Sequence, residues 1–178
     1  MKGQFLVAMP QLTDPNFKRT VVLVCEHGED GALGLVVNRP TPFTLGQIYE
    51  GQGIEGEGGA DEPIHYGGPV QPEMGFVLYQ GQPYEGSLAV LEDLLLGTSL
   101  EILKDIAANR GPHRFLFFLG YAGWAPDQLE GEIARNDWLV VPASVDLLFS
   151  VPAEDRWEQA VRSLGIDPGL LSQGFGTA

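Results

Sequence analysis

Near the N-terminus, apolar residues come in short unbroken runs rather than at helical spacing. Phe5–Met9 ends at Pro10, while Thr20–Cys25 and Leu33–Val37 are rich in β-branched residues and almost wholly apolar. Such runs predict strands, the last two buried on both faces. Gly28-Glu29-Asp30-Gly31 between them predicts a hairpin connection. Met74–Tyr79, Arg114–Tyr121 and Trp138–Val141 predict three more strands. Helical spacing takes over elsewhere. Thr98-Ser99-Leu100-Glu101 fits a capping box, followed by an apolar face of Leu100, Leu103, Ile106 and Ala107 and a stop at Gly111-Pro112. Pro126 suits the first position of a second helix, with Leu129 and Ile133 one turn apart. Pro152 opens a third, in which Trp157, Ala160, Val161 and Leu164 share a face and Gly165 ends it. Thr44–Glu50 reads as a short helix. The order strand 114–121, helix, strand 138–141 predicts a parallel crossover. The rest reads antiparallel, so the expected class is α+β.

A chain of 178 residues predicts one domain, 1–178, and 44% hydrophobic residues supply a core without disulfides or metal staples. Residues 51–63 hold five glycines and four acids, which predicts a mobile acidic loop outside that core. The loop contains a literal G-x-G-x-x-G at Gly51, Gly53 and Gly56. A dinucleotide fingerprint needs a strand before it and a helix after it. Here a helix precedes, none follows before Pro63, and Glu55 and Glu57 would repel phosphates. No cofactor is expected.

Charge narrows the function classes. Ten basic residues among 24 acids leave a formal charge of −14, too acidic for a phosphate-tracking surface. Direct nucleic-acid binding is disfavoured, and so is attraction to an anionic membrane. The one cysteine excludes an intrachain disulfide, and no apolar run reaches membrane-spanning length. The expectation is a soluble cytoplasmic protein, a monomer or weak homodimer, whose partner is a small molecule or another protein.

Few residues suggest chemistry. Cys25 and His27 form a C-x-H pair that regular strand geometry would place on one face. A histidinium there would make the thiol a nucleophile or redox sensor; the alternative is a buried structural cysteine. His65 and His113 lack metal-ligand spacing, so no metal site is expected. Arg39, before Pro40, either grips a ligand carboxylate or phosphate or forms an internal salt bridge. Gly67-Gly68-Pro69-Val70 marks a sharp reversal or a close approach to a ligand. The stretch Gly120–Glu132 combines a strand end, two glycines, Tyr121, Trp124 and a helix start, with Gln128 and Glu132 one turn apart. Amides at that helix start would suit an anion; the alternative is that both aromatics are core. Tyr121, Trp124, Gln128 and Arg39 are the candidate ligand-binding set, with Cys25 and His27 as a candidate reactive pair.

Several of these motifs together carry a resemblance. They are Phe5-Leu6-Val7-Ala8-Met9-Pro10, Asp14-Pro15-Asn16-Phe17, Thr20–His27, Gly31–Pro40, Gly67-Gly68-Pro69-Val70, Gly75-Phe76-Val77-Leu78 and Gly120-Tyr121-Ala122-Gly123-Trp124 with Gln128-Leu129-Glu130. Nearly end to end, the chain resembles the YqgE/AlgH family of bacterial proteins. The resemblance implies a single α+β domain with a mostly antiparallel, bifurcated sheet curled into a pseudo-barrel and flanked by helices. It implies no settled activity. One branch is named for regulating alginate synthesis, which implies a transcriptional role that the −14 charge opposes as direct DNA binding. The chain ends Gly174-Phe175-Gly176-Thr177-Ala178 rather than in the family's Gly-His-Ala-like tail, so no terminal histidine carries over. The function expected is a ligand-binding or regulatory module without assigned catalysis. A thiol enzyme or sensor using Cys25 and a transcriptional regulator are the alternatives.

Overall fold

Side-chain alternation along β1 (Gln4–Ala8) and β2 (Val21–Gly28) divides these strands between two cores. Phe5, Val7, Val21, Leu23 and Cys25 enter one cluster; Leu6, Ala8, Val22 and Val24 enter another on the opposite face. This is why the runs carry no polar positions. The computed structural model describes residues 1–171, so the tail Gly174–Ala178 lies outside the described residues.

Eight further strands follow: β3 (Gly31–Val36), β4 (Pro40–Thr44), β5 (Pro63–Tyr66), β6 (Val70–Tyr79), β7 (Leu88–Leu91), β8 (Leu94–Gly97), β9 (Phe115–Trp124) and β10 (Trp138–Pro142). They form one open, curled sheet in the order β10-β1-β2-β3-β9-β6-β8-β7, with β4 and β5 as a side branch. Among the described residues, only β5 with β9 is parallel. The sheet forks at β9. Its residues Phe117–Leu119 pair with β5, whereas Ala122–Trp124 pair with β3. Between the two stretches sits Gly120 at φ +77, where a Cβ would lie 2.3 Å from the carbonyl oxygen of Gly68. A Cβ on Gly67 would meet the Gly120 oxygen equally closely, at 2.3 Å. The Gly67-Gly68 pair therefore serves a backbone-to-backbone approach within the sheet.

Three helical layers cover the sheet. α1 (Leu45–Gln52) and α2 (Leu100–Ala107) pack Leu45, Tyr49, Ile102 and Ile106 on Val77, Tyr79 and Phe117 at one end of the outer face. α3 (Gln128–Ala134) sets Leu129 on the other end. α4 (Val145–Ser150) and α5 (Arg156–Arg162), joined through a 3-10 turn at Ala153–Asp155, close the inner face with Leu148, Trp157, Ala160 and Val161. The Trp157 indole donates to the Ala8 carbonyl at 2.9 Å and ties α5 to β1. Among the described residues, no helix is long and apolar enough to cross a membrane.

The structure corrects five expectations. β9 and β10 form no parallel crossover: β10 lies antiparallel on β1, and all five of its residues find partners there. α3 begins at Gln128 rather than Pro126, because Asp127 is left-handed at φ 66 and the Gln128 amide turns back to the Ala125 carbonyl. Ser99, not Thr98, caps α2, its hydroxyl accepting from the Glu101 amide at 3.0 Å, so Ile102 replaces Leu100 on the buried face. The single helix expected from Pro152 is preceded by α4, a separate element. Residues 51–63 are mostly exposed but are tied to the core at several points. Gly53 caps α1, the Gly58 amide donates to the Ala107 carbonyl at 2.9 Å, and the Tyr49 hydroxyl donates to the Gly58 carbonyl at 2.7 Å. A Cβ on Gly56 or Gly58 would fall 2.3 or 2.1 Å from a carbonyl oxygen of α2. These glycines let two backbones touch, which composition alone disguises as flexibility.

Candidate functional site

Plain strand alternation separates Tyr121 from Trp124, which lie three residues apart on β9. Tyr121 joins the inner cluster, its ring edge-on to Phe76 at 5.9 Å between centroids. Trp124 joins the outer one, 6% exposed, with Phe17 and Trp138 against its ring. Its indole donates to Glu132 Oε1 at 3.0 Å, and the Trp138 indole donates to the same oxygen at 3.0 Å. Gln128 is consumed locally. Its amide nitrogen donates to Glu132 Oε2 at 2.9 Å and its oxygen accepts from the Ala125 amide at 2.9 Å. Both indole donors are spent on Glu132, and the one N–H left on Gln128 sits beside that carboxylate, which opposes an external anion. An open groove of about 430 Å³ does border the turn and is lined by both Tyr121 and Trp124, but Glu26 and Asp30 line it too, so its charge also opposes an anion.

Arg39 sits elsewhere. Its guanidinium donates to the carbonyls of Pro15, Asn16 and Lys18 at 2.9, 2.8 and 2.8 Å. It stitches the Asp14–Lys18 turn to the end of β3, and among the described residues the expected internal salt bridge is not formed. The four candidates Tyr121, Trp124, Gln128 and Arg39 therefore do not converge on one cleft.

The Cys25–His27 pair is also divided. A β-bulge between Val24 and Glu26 shifts the register with β3, so Cys25 stays in the inner cluster while His27 falls opposite Ala32 of the outer one. Burial pushes the Cys25 thiol up to about 12, and its Sγ lies 3.6 Å from the Leu23 carbonyl oxygen. A thiol so enclosed is a poor nucleophile. His27 Nε2 instead lies 3.4 Å from Glu130 Oε2. Among the described residues, no three His, Cys, Asp or Glu side chains gather as a metal site.

Sequence reasoning missed a different constellation, where β5 and β9 meet the α4–α5 corner. The buried polar or charged residues here are His65 and Arg156, at 3% and 6% exposure. Arg156 Nε donates to the Val151 carbonyl at 2.9 Å and Nη1 donates to the Val37 carbonyl. No carboxylate of the described residues lies within ion-pair distance of it, and burial pulls its pKa down. His65 stacks at a tilt on Phe118, 5.3 Å between centroids, and its Nδ1 has no hydrogen-bond partner. Both residues line a groove of about 400 Å³, with His113 and Arg114 at its mouth and Glu62 and Glu154 on its rim. One signal was available: Arg156 is four residues before Ala160, hence on the apolar face of α5 that Trp157, Ala160 and Val161 define. His65 carried no signal, since its partner is distant in sequence.

Burial, and then the positive charge of Arg156, push the His65 imidazole down to about 4 from an ordinary 6.5. Between these values the unfolded chain takes up a proton that the folded chain refuses. Stability should be full above the unfolded pKa and fall as pH drops towards 4, by on the order of 3 kcal/mol from this residue. Urea unfolding of wild type and His65→Leu at about pH 7 and about pH 4.5 checks this, because carboxylate titration is common to both proteins. Equal losses in the two would remove His65 as the cause.

The comparisons with known proteins agree with one another. Residues 5–169 match the family model DUF179, described as AlgH-like. A UPF0301 protein of Ralstonia nicotianae is 48% identical over 181 aligned positions, covering 100% of this chain and 95% of that protein. A UPF0301 protein of Thioalkalivibrio sulfidiphilus is 46% identical, covering 99% and 96%. The solution structure of the AlgH protein from Pseudomonas aeruginosa superposes with a TM-score of 0.82 at 42% identity, covering 96% of this chain and 92% of that one. A crystal structure from Corynebacterium diphtheriae shares the fold, with a TM-score of 0.72 at 23% identity and coverage of 96% and 89%. The chain belongs to the AlgH-like family.

Proposed function

We propose that this AlgH-like protein is a binding module for a small anion, seated in the groove that His65 and Arg156 line. Arg156 is the observation that carries the reading. Burying a guanidinium without a carboxylate is costly, and removing it from water is repaid only by a good acceptor. The chain has 24 acids, yet none of the described ones forms a direct ion pair with it, and Glu154 acts on it only from longer range. The carbonyls of Val151 and Val37 hold the side chain still while occupying two of its five N–H donors. A fixed, partly unsatisfied cation inside a groove is preorganised for an oxyanion. His65, neutral near pH 7, adds a polar neighbour without a second buried charge.

The test is a set of anions at constant ionic strength: acetate, benzoate and phosphate, added to ¹⁵N-labelled protein. At least one should move the Arg156 side-chain resonance saturably and raise Tm through preferential binding to the folded state. If none of the three does so in folded wild type, Arg156 is only a brace between β3 and α5 and the reading fails.

A further inference from the structure

Resting on that reading, we infer that the anion is the carboxylate of a small organic acid with an apolar body. Three features of the groove select this class. The first is charge. Arg156 lies inside and Arg114 at the mouth, but Glu62 and Glu154 stand on the rim, so the charged side chains of the groove nearly cancel. With the lining already neutral, a ligand's charge is met only by the free donors of Arg156, so one negative charge is favoured over two. A doubly charged phosphoryl group would face two rim carboxylates without a matching cation. The second is the wall. Phe115, Leu116 and Phe149 line the rest of the groove, Leu116 at 8% exposure. An inorganic ion would leave these surfaces wet, whereas an alkyl or aryl body would cover them. The third is donor geometry. Three N–H bonds of Arg156 remain after those to Val151 and Val37. A planar guanidinium offers them in a fork that matches two oxygens of one carboxylate. Size agrees as well, since about 400 Å³ falls within the range of small-molecule pockets.

The experiment is a chain-length series of acetate, butyrate, hexanoate and benzoate, with hexanol and phosphate as controls. Calorimetry and NMR follow wild type, Arg156→Lys and Ala153→Trp. Ala153 lines the groove and bonds to Arg156 only through backbone, its carbonyl accepting from the Arg156 amide, so a tryptophan side chain should obstruct the apolar part and spare the fold even if Arg156→Lys does not fold. Hexanoate or benzoate should bind wild type with Kd below about 1 mM. Each added methylene should tighten binding by roughly threefold to fourfold. Hexanol and phosphate should bind at least about tenfold more weakly than hexanoate. Ala153→Trp should lose the gain with chain length while keeping the wild-type Tm. If acetate or phosphate binds at Arg156 with no gain along the series, the anion reading survives and the organic-acid inference falls. If nothing binds, both fall. Wild-type affinity for hexanoate in Ala153→Trp would place the apolar body elsewhere and overturn the inference.

Discussion

Gly120→Ala should cost at least about 4 kcal/mol and lower Tm by more than about 8 °C, although it adds a single methyl group. Gly120 holds φ +77, which an L side chain occupies only under strain, and the added Cβ would lie 2.3 Å from the Gly68 carbonyl oxygen. That contact is with backbone, so no rotamer change relieves it. Relief requires β9 to part from the Gly67-Gly68 turn, at the point where β9 changes partner from β5 to β3. The damage would reach all three cores, because β9 contributes side chains to each. Gly123→Ala is the control. It lies on the same strand, with negative φ and an added Cβ no closer than 3.6 Å to its neighbours, at the Tyr121 ring. It should cost under about 1 kcal/mol. Thermal and urea unfolding of the two variants decide the matter; similar small losses would show that the fork tolerates a side chain.

The same glycine marks where the sequence stops being readable. β1, β2 and β3 were legible because strands buried on both faces leave unbroken apolar runs. β4 and β5 were not, since Pro40, Pro42 and Pro63 interrupt them and each is short. The fork was carried only by the family resemblance, because nothing local announces that Gly120 advances the phase of β9. That one shift puts Phe118 and Tyr121, three residues apart, in the same inner cluster, and the bulge near Cys25 sends Cys25 and His27 to opposite faces. Period-two reasoning fails at such irregularities. The His65–Arg156 groove was illegible for another reason. Its members come from β5 and α5, and only tertiary packing brings them together. Half of it could have been suspected, since a charged residue on the apolar face of α5 is expensive without a purpose.

The second large effect is expected at Glu132. One of its oxygens accepts from two indoles, Trp124 and Trp138, and the other accepts from Gln128. The indoles are 6% and 3% exposed, so neither N–H can turn to water when the carboxylate is removed. Each orphaned donor costs about 1–3 kcal/mol, and bonds to an ionised acceptor lie at the strong end. Glu132→Ala should therefore destabilise the fold by about 4 kcal/mol. Glu132→Gln should cost less, about 1–2 kcal/mol, since its amide oxygen still accepts from both indoles while its NH₂ opposes the Gln128 NH₂. Gln128 cannot simply flip, because its oxygen already accepts from the Ala125 amide. Glu130→Ala, an exposed neighbour on α3, should fall within about 0.5 kcal/mol of wild type. Trp fluorescence during urea unfolding reports on both indoles directly. A loss below about 1 kcal/mol in Glu132→Ala would mean that the indoles find other acceptors. The turn would then be held by the packing of Phe17, Trp124 and Trp138 alone.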